Sequence, residues 1–458
     1  LSAAPSDGAH CLSITTGDGD TEGYRLSILP DGIVLAGESP AGAFYGLQTL
    51  RQLLGACDGA LRCAVIDDRP DFPLRGFYQD VSRGRIPTLD TLKTLADRLA
   101  AGKYNMLQLY VEHTFAFPEY RDIHERTGCL TPADILELDT YCHDRFIELV
   151  PSLSTFGHLY ELLQSDRYRP LCELEDYRPE QHLWVERMRH HTIDPTNPES
   201  RRLVKRLIDR FLPLFRSRRF NLCCDETFDL GQGRNRGRDT GALYFDYVID
   251  LIDHVRSHGC QAMLWGDIVL RHPDRLDALP RDVLLLNWDY RAEPDEQGIA
   301  LLERHGFSQL VCPGTDSWNR FVENPAVSVP NISRMAAFGR AHGAAGLLVT
   351  NWGDYGHIAA PGCTLYGLAV GAQKGWNTAA PVDDTFDRAV VRHVYGIPDL
   401  SLPVLVRELA DCEESARWDR LVRWASDRLL FGREATLDCC SDTAAAADRA
   451  ESIAAKLS

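Results

Sequence analysis

The chain has 458 residues, 44% hydrophobic and 25% charged, with a net charge of −17. That is a globular composition, long enough for a barrel-sized domain with appendages. So acidic a surface repels nucleic acid and anionic membranes, and no run of about 18 apolar residues is there to span a bilayer. The opening stretch LSAAPSDGAHCLS has no charged segment followed by an apolar one, so no signal peptide is visible. Residues 1–70 read as a small α+β domain. GYRLSIL and GIVLAGE alternate like strands around the turn Pro30-Asp31-Gly32, and SPAGAFYGLQTLRQLL follows as a helix with Ser39 as cap and Pro40 at its first position. DDRPDFPL is a proline-punctuated linker.

From Arg75 strands and helices alternate. The strands are RGFYQDV, NMLQLYVE, IELVPSL, FNLCCDE, AMLWGD, VLLLNWDY, QLVCPG and GLLVTNWGD, and helical stretches such as TLDTLKTLADRLAAGK and TPADILELDTYCHDR lie between most of them. Eight near-continuous apolar strands separated by helices predict a parallel sheet covered on both faces and closed as a (β/α)₈ TIM barrel over 71–380. An open doubly wound sheet is the structural rival, but no GxGxxG follows the first strand. Residues 381–458 turn helical, a C-terminal extension read as a packing or dimerisation element, so a homodimer is among the expected assemblies. Fourteen cysteines are scattered without a CxxC pair, several inside apolar runs such as Cys223 and Cys312, while Cys439 and Cys440 are adjacent. That pattern suits buried thiols in a reducing compartment, the cytoplasm, better than disulfides or a zinc site.

Barrel enzymes carry their chemistry at the C-terminal strand ends. Strand 2 delivers Glu112 and His113, strand 3 leads to His158, and strand 4 delivers Asp225 and Glu226. Strand 5 delivers Trp265 and Asp267, strand 6 Trp288, Asp289 and Tyr290, strand 7 leads to Trp318 and Asn319, and strand 8 delivers Trp352 and Asp354. Singly, each has a bland reading: Asp-Glu after a strand is often a helix cap, and a strand-end tryptophan is often core. Together, acids ringed by flat aromatic faces are the composition of a sugar pocket, since a pyranose offers an apolar face and a rim of hydroxyls. A metal-dependent hydrolase would want converging ligands, often His-x-His on the first strand, and FYQD has no histidine.

These residues resemble glycoside hydrolase family 20, the β-N-acetylhexosaminidases, over nearly everything from Gly23 to about Asn377. The stretch from Gly23 to Leu54 is similar to that family's N-terminal α+β domain. LRGFYQDVSRGRIP resembles its first barrel strand, whose arginine binds hydroxyls of the terminal sugar; that role falls on Arg75. VPSLSTFGH gives His158, the adjacent acids closing strand 4 give the catalytic Asp225 and Glu226, and NWGDYG gives Trp352 as a wall and Asp354 as a ligand of the outer hydroxyls. The chain departs from the family where Cys223-Cys224 replaces Gly-Gly, where Glu112-His113 replaces aspartates, and where CPGTDSWNRF stands in place of a tyrosine-bearing segment. In these features it resembles a divergent intracellular branch that includes hexosaminidase D-like proteins.

The resemblance implies exo-acting removal of terminal β-linked GlcNAc or GalNAc by a substrate-assisted retaining route, without cofactor or metal. Glu226 would protonate the glycosidic oxygen, and the substrate's 2-acetamido oxygen would attack C1. Asp225 would hold the acetamido N–H, and Glu226 would then activate water. A negative Asp225 favours the protonated form of its neighbour, as a general acid requires. Tyr290 is the expected stand-in for the acetamido-binding tyrosine. Two rivals remain at this point: a retaining β-glycosidase using Glu112 or Asp354 as nucleophile, and a non-catalytic sugar-binding protein.

Overall fold

The computed structural model describes residues 11–57, 59–176, 187–397, 401–415, 417–430, 432 and 443–457. The alternating apolar residues on either side of Pro30-Asp31 form an antiparallel pair, β2 (Tyr24–Leu29) and β3 (Gly32–Gly37). Two flanking strands complete a sheet of order β1-β3-β2-β4: β1 (Cys11–Thr16), parallel to β3, and β4 (Ala64–Asp68), antiparallel to β2. The sequence pattern does not announce these two strands. All six residues of β1 are exposed, so it carries no inside–outside alternation, and β4 runs into the acidic start of the linker. Helix α1 (Pro40–Ala56) begins where the Ser39 side chain accepts the Gly42 N–H at 3.1 Å. It buries Tyr45 and Leu50 against Leu26, Ile28 and Leu35 of the sheet.

The eight predicted barrel strands are all present: β5 (Leu74–Asp80), β6 (Met106–Val111), β7 (Glu148–Leu153), β8 (Arg219–Asn221), β9 (Gln261–Trp265), β10 (Leu284–Trp288), β11 (Ser308–Cys312) and β12 (Gly346–Asn351). Each pairs in parallel with its neighbours, and β12 returns to β5 with Val349 opposite Phe77, closing the barrel. Helices α2 (Leu89–Ala101), α3 (Pro132–His143), α4 (Pro198–Phe211), α5 (Thr240–Ser257), α6 (Gln297–Arg304), α7 (Pro325–Ala341) and α8 (Leu365–Trp376) stand among the connections. Because helices cover the outside and side chains fill the inside, β6, β7 and β12 are buried almost without interruption. The chain is thus a (β/α)₈ barrel with a small N-terminal domain.

Beyond the barrel, α9 (Leu402–Glu413), α10 (Trp418–Ala425) and α11 (Thr443–Leu457) follow; Cys439 and Cys440 lie outside the described residues. This extension is not remote from the strand ends. Glu413 accepts the backbone N–H groups of Phe321 and Val322 in the β11–α7 loop, and the Trp418 indole donates to the Tyr355 carbonyl at 2.9 Å, just after β12. Among the described residues no helix is long and apolar enough to cross a membrane.

Candidate active site

Strand alternation would point Asp225 and Glu226 to opposite faces, but β8 stops at Asn221 and the chain then kinks. Cys223, Cys224 and Glu226 take φ values of +57°, +62° and +48°. Left-handed backbone at a residue with a side chain costs about 1 kcal/mol or more each, so local bonds must hold it. They do. Asn221 Oδ1 accepts the Cys223 N–H at 2.9 Å, and the Cys224 thiol donates to the Leu222 carbonyl at 3.3 Å. A Cβ on Gly157 would sit 2.5 Å from the Asp225 carbonyl oxygen, so only glycine lets the loop after β7 approach. Through that approach His158 Nε2 comes within 3.2 Å of Asp225 Oδ2 and 3.4 Å of Glu226 Oε2. Both acids therefore converge on His158, which lines a hollow beside Arg83. The Asp225 side chain is 9% exposed and that of Glu226 24%, a fixed anion beside a more accessible acid.

Burial opposes charge on His158, but Asp225 and then Glu226 outweigh it and hold the imidazole up at about 10. Burial likewise opposes charge on Asp225, and His158 with Arg83 reverses it, keeping that carboxyl below its ordinary range. A third acid lies beneath the pair. Asp267 Oδ2 accepts the backbone N–H of Glu226 at 3.0 Å, its Oδ1 is shut from solvent without a partner, and burial together with Asp225 pushes it up to about 7. His158, Asp225 and Glu226 are close enough to ligate a cation, but positive charge is already supplied by Arg83, whose Nη2 is 3.3 Å from His158 Nδ1.

Arg83 is the organising cation of the hollow's other side. Its Nε donates to Glu112 Oε1 at 3.1 Å, its Nη1 to Asp354 Oδ1 at 2.7 Å, and its Nη2 to the Tyr110 hydroxyl at 3.2 Å. The guanidinium carbon lies 4.9 Å from the centre of the Tyr110 ring and 5.1 Å from that of Trp352. Burial drives Asp354 up to about 6 in spite of this cation. A cavity of about 230 Å³ opens beside Arg83, Glu112, His113 and His158 and runs out past Tyr355 and Val422 of α10.

Aromatic side chains close the remaining wall. Trp265 is fully buried, its ring 5.9 Å from that of Trp352 and 5.2 Å from that of Tyr78. Trp288 stacks on Tyr290 at 5.1 Å and 13°, and Trp318 meets Tyr290 edge-on at 5.1 Å. The Tyr290 hydroxyl accepts the Trp352 indole N–H at 2.8 Å, so it is held in this wall.

Two expected site residues lie away from the acid pair. Arg75 is at the start of β5, five residues before Asp80 and so about 17 Å of strand below the top. It pairs with Glu22 at 2.6 Å, donates to the carbonyls of Phe72 and Lys103 at 2.8 Å, and stacks over Tyr45 and Trp376. It clamps the N-terminal domain to the barrel floor, and the arginine at the acids is Arg83, later in the same LRGFYQDVSRGRIP stretch. His113 is also away from the acid pair: it is buried, its Nδ1, 3.9 Å from Glu112 Oε2, makes no hydrogen bond, and it lines the cavity beside Glu112 and His158. Glu112 and His158 line the cavity, Asp354 is bound to Arg83 beside it, and Trp288, Tyr290, Trp318 and Trp352 form one aromatic cluster with the fully buried Trp265.

A family model described as glycosyl hydrolase family 20, catalytic domain, matches residues 72–328, and one described as glycosyl hydrolase family 20, domain 2, matches residues 2–69. Human hexosaminidase D is 25% identical over 315 residues, 63% of this chain and 62% of that protein. A beta-hexosaminidase of Akkermansia muciniphila is 32% identical over 160 residues, 30% of this chain and 32% of that protein. The chain thus spans less than two thirds of the length of these curated relatives. Among solved structures, a beta-N-acetylhexosaminidase from Bacteroides fragilis superposes with a TM-score of 0.69 at 18% identity, covering 86% of this chain and 85% of that one. Streptomyces plicatus N-acetyl-beta-hexosaminidase in complex with Thio-NAglucal superposes at 0.65 and 21%, covering 84% and 82%. At such identities the likeness speaks for the fold.

Proposed function

The chain belongs to glycoside hydrolase family 20, and from that premise we propose that it is an exo-acting β-N-acetylhexosaminidase removing terminal β-linked GlcNAc or GalNAc from an oligosaccharide or glycoconjugate. The observation that carries the reading is the convergence of Asp225 and Glu226 on one side of His158, within a wall of tryptophans. Glu226, the more exposed acid, donates a proton to the glycosidic oxygen as the bond to C1 breaks. The substrate's acetamido oxygen closes on C1 from the other face and gives an oxazolinium ion. Asp225, kept anionic by His158 and Arg83, accepts the acetamido N–H and balances the charge that grows there. Glu226 then takes a proton from water as it opens the ring, and the configuration at C1 is retained.

The aromatic wall of Trp288, Trp318 and Trp352, backed by the buried Trp265, holds the acetamido group against C1, a gain in proximity, and Tyr290 donates to its oxygen. Arg83, Glu112 and Asp354 receive the outer hydroxyls. Both carboxylates that a protein-nucleophile route would draw on, Glu112 and Asp354, are engaged by the Arg83 fork, which favours the substrate as its own nucleophile. The test is hydrolysis of aryl N-acetyl-β-glucosaminides and galactosaminides beside plain β-glucosides, with a thiazoline mimic of the oxazoline as inhibitor. Glu226→Gln should cripple poor leaving groups and spare activated aryl groups more, whereas Asp225→Asn should lower both by about 10²-fold or more. Inactivity on every 2-acetamido substrate would overturn the assignment. Free thiols among the described residues, many of them buried, support a cytoplasmic location, as does the resemblance to hexosaminidase D. A homodimer through the C-terminal helices is part of the same proposal, to be read from the mass in solution.

A further inference from the structure

Helices α4 and α5 lie side by side on the outside of the barrel, joined by a ladder of charged pairs. Arg201 reaches Asp246 and Asp250, and Lys205 reaches Asp250 at 2.6 Å. One turn further on, the ladder changes character. The carboxylate now comes from α4, as Asp209, and two imidazoles face it from the end of α5. His254 Nε2 is 2.7 Å and His258 Nε2 2.9 Å from the same Asp209 oxygen, Oδ1, with the two ring centres 5.1 Å apart. The positions i and i+4 set the rings on one helical face.

We propose that Asp209, His254 and His258 form a binding site for a divalent transition-metal ion of the zinc class, separate from the catalytic hollow. Two neutral imidazole nitrogens and a carboxylate oxygen are the donor set such ions take, and hard calcium or magnesium would want more oxygens. Metal–ligand bonds of about 2.0–2.2 Å in a tetrahedral site put neighbouring donors about 3.3 Å apart. The two N···O separations of 2.7 and 2.9 Å are those of hydrogen bonds, and swinging the rings back by about half an ångström makes room for the ion. Each ring then presents Nε2 as a lone pair, its proton passing to Nδ1 or to solvent. With 19%, 36% and 45% exposure, the His254, His258 and Asp209 side chains leave the fourth position open to water.

Its place in the barrel fixes its consequence. Asp209 lies in the last turn of α4 and His258 directly after α5, both just ahead of the strand starts at Arg219 and Gln261. That is the face opposite Asp225 and Glu226, where barrels store stability rather than chemistry. Bound metal would therefore pin two helix ends together and raise the unfolding temperature without altering turnover.

The experiment titrates the chelator-stripped full chain with zinc chloride by calorimetry, in parallel with thermal unfolding and with turnover of an aryl N-acetyl-β-glucosaminide. The proposal expects one saturable site per chain, an upward shift in Tm and unchanged kcat. His254→Ala or His258→Ala should weaken binding by about tenfold or more, and the double variant should abolish both heat and shift. Asp209→Asn should weaken binding with the fold intact in chelator. Absence of saturable binding overturns the proposal. So does zinc binding that survives in the double variant, or that inhibits turnover, since either moves the ion to other ligands such as the His158–Asp225–Glu226 group or an exposed thiol.

Discussion

The two arginines of LRGFYQDVSRGRIP offer the sharpest test of where the sugar is held. Arg83 sends Nε to Glu112 at 3.1 Å and Nη1 to Asp354 at 2.7 Å, two charge-assisted bonds that fix both carboxylates where the proposed function puts the outer hydroxyls. Arg83→Lys keeps a positive charge and loses the planar fork. If each bond to a charged group is worth about 1.5–3 kcal/mol, forfeiting about 3–4 kcal/mol of transition-state positioning lowers kcat/KM by about 10²–10³-fold. Arg75→Met removes instead the cation beside Glu22, whose side chain is only 17% exposed, along with bonds to two carbonyls. Breaking a largely buried pair costs about 3–5 kcal/mol, so Tm should fall by about 3–5 °C in a chain of 458 residues.

Both variants should be assayed with an aryl N-acetyl-β-glucosaminide well below their unfolding midpoints, with Tm followed by circular dichroism. Arg75→Met should retain kcat/KM to within about twofold, because nothing near Asp225 has moved. The reasoning fails if folded Arg75→Met loses as much kcat/KM as Arg83→Lys, or if Arg83→Lys stays within about fivefold of the parent.

Three further outcomes follow from the same geometry. Tyr290→Phe removes the hydroxyl that accepts the Trp352 indole and should lower kcat by about 10–10²-fold with little change in Tm; an unchanged kcat removes Tyr290 from the site. Burial opposes protonation of His158 but its acids raise it to about 10, above about 6.5 for free imidazole, so its contribution to stability is full below about pH 6.5 and lost as pH climbs toward 10. His158→Gln should therefore flatten the alkaline fall in Tm, and an equally steep fall in the variant would contradict the charge assigned. Trp418→Ala breaks the bond to the Tyr355 carbonyl and the edge contact with Phe321. It should loosen the rim beside Asp354 and raise KM by about 3–10-fold, while an unchanged KM would separate the C-terminal helices from the site.

The barrel was legible because its strands are buried on both faces, which leaves runs such as MLQLYV and GLLVTN with hardly a polar interruption. Strands without that pressure were not. β1 is exposed at every residue, and nothing in CLSITT separates it from a loop. The acids at the end of β8 were legible as a pair, but the means of aiming them was not, since cysteines at φ near +60° stand where glycine would have advertised the turn. Arg83 carried a readable signal. A strand that ends at Asp80 puts Arg75 at its foot and the next arginine at its mouth, so the rule that barrels act at strand ends already separates the two. The reach of the C-terminal helices over Tyr355 depends on tertiary packing alone, and amphipathic spacing does not encode it.

The charges around the hollow also bear on which carboxylate is left to act. Asp225 is balanced by His158 and Arg83, and Glu112 and Asp354 share the fork of Arg83. Freeing either of the latter two as a nucleophile would break one charge-assisted bond to Arg83, at about 1.5–3 kcal/mol, before any bond to sugar formed. Glu226 is the acid of this group with most exposure, and its backbone, not its carboxylate, is what Asp267 holds. One accessible acid beside one fixed anion is the arrangement the proposed route needs, with the attacking atom supplied by the substrate. Under the proposed function, selectivity for a 2-acetamido group would follow from how the cations are placed, which activity on 2-acetamido substrates beside plain β-glucosides tests.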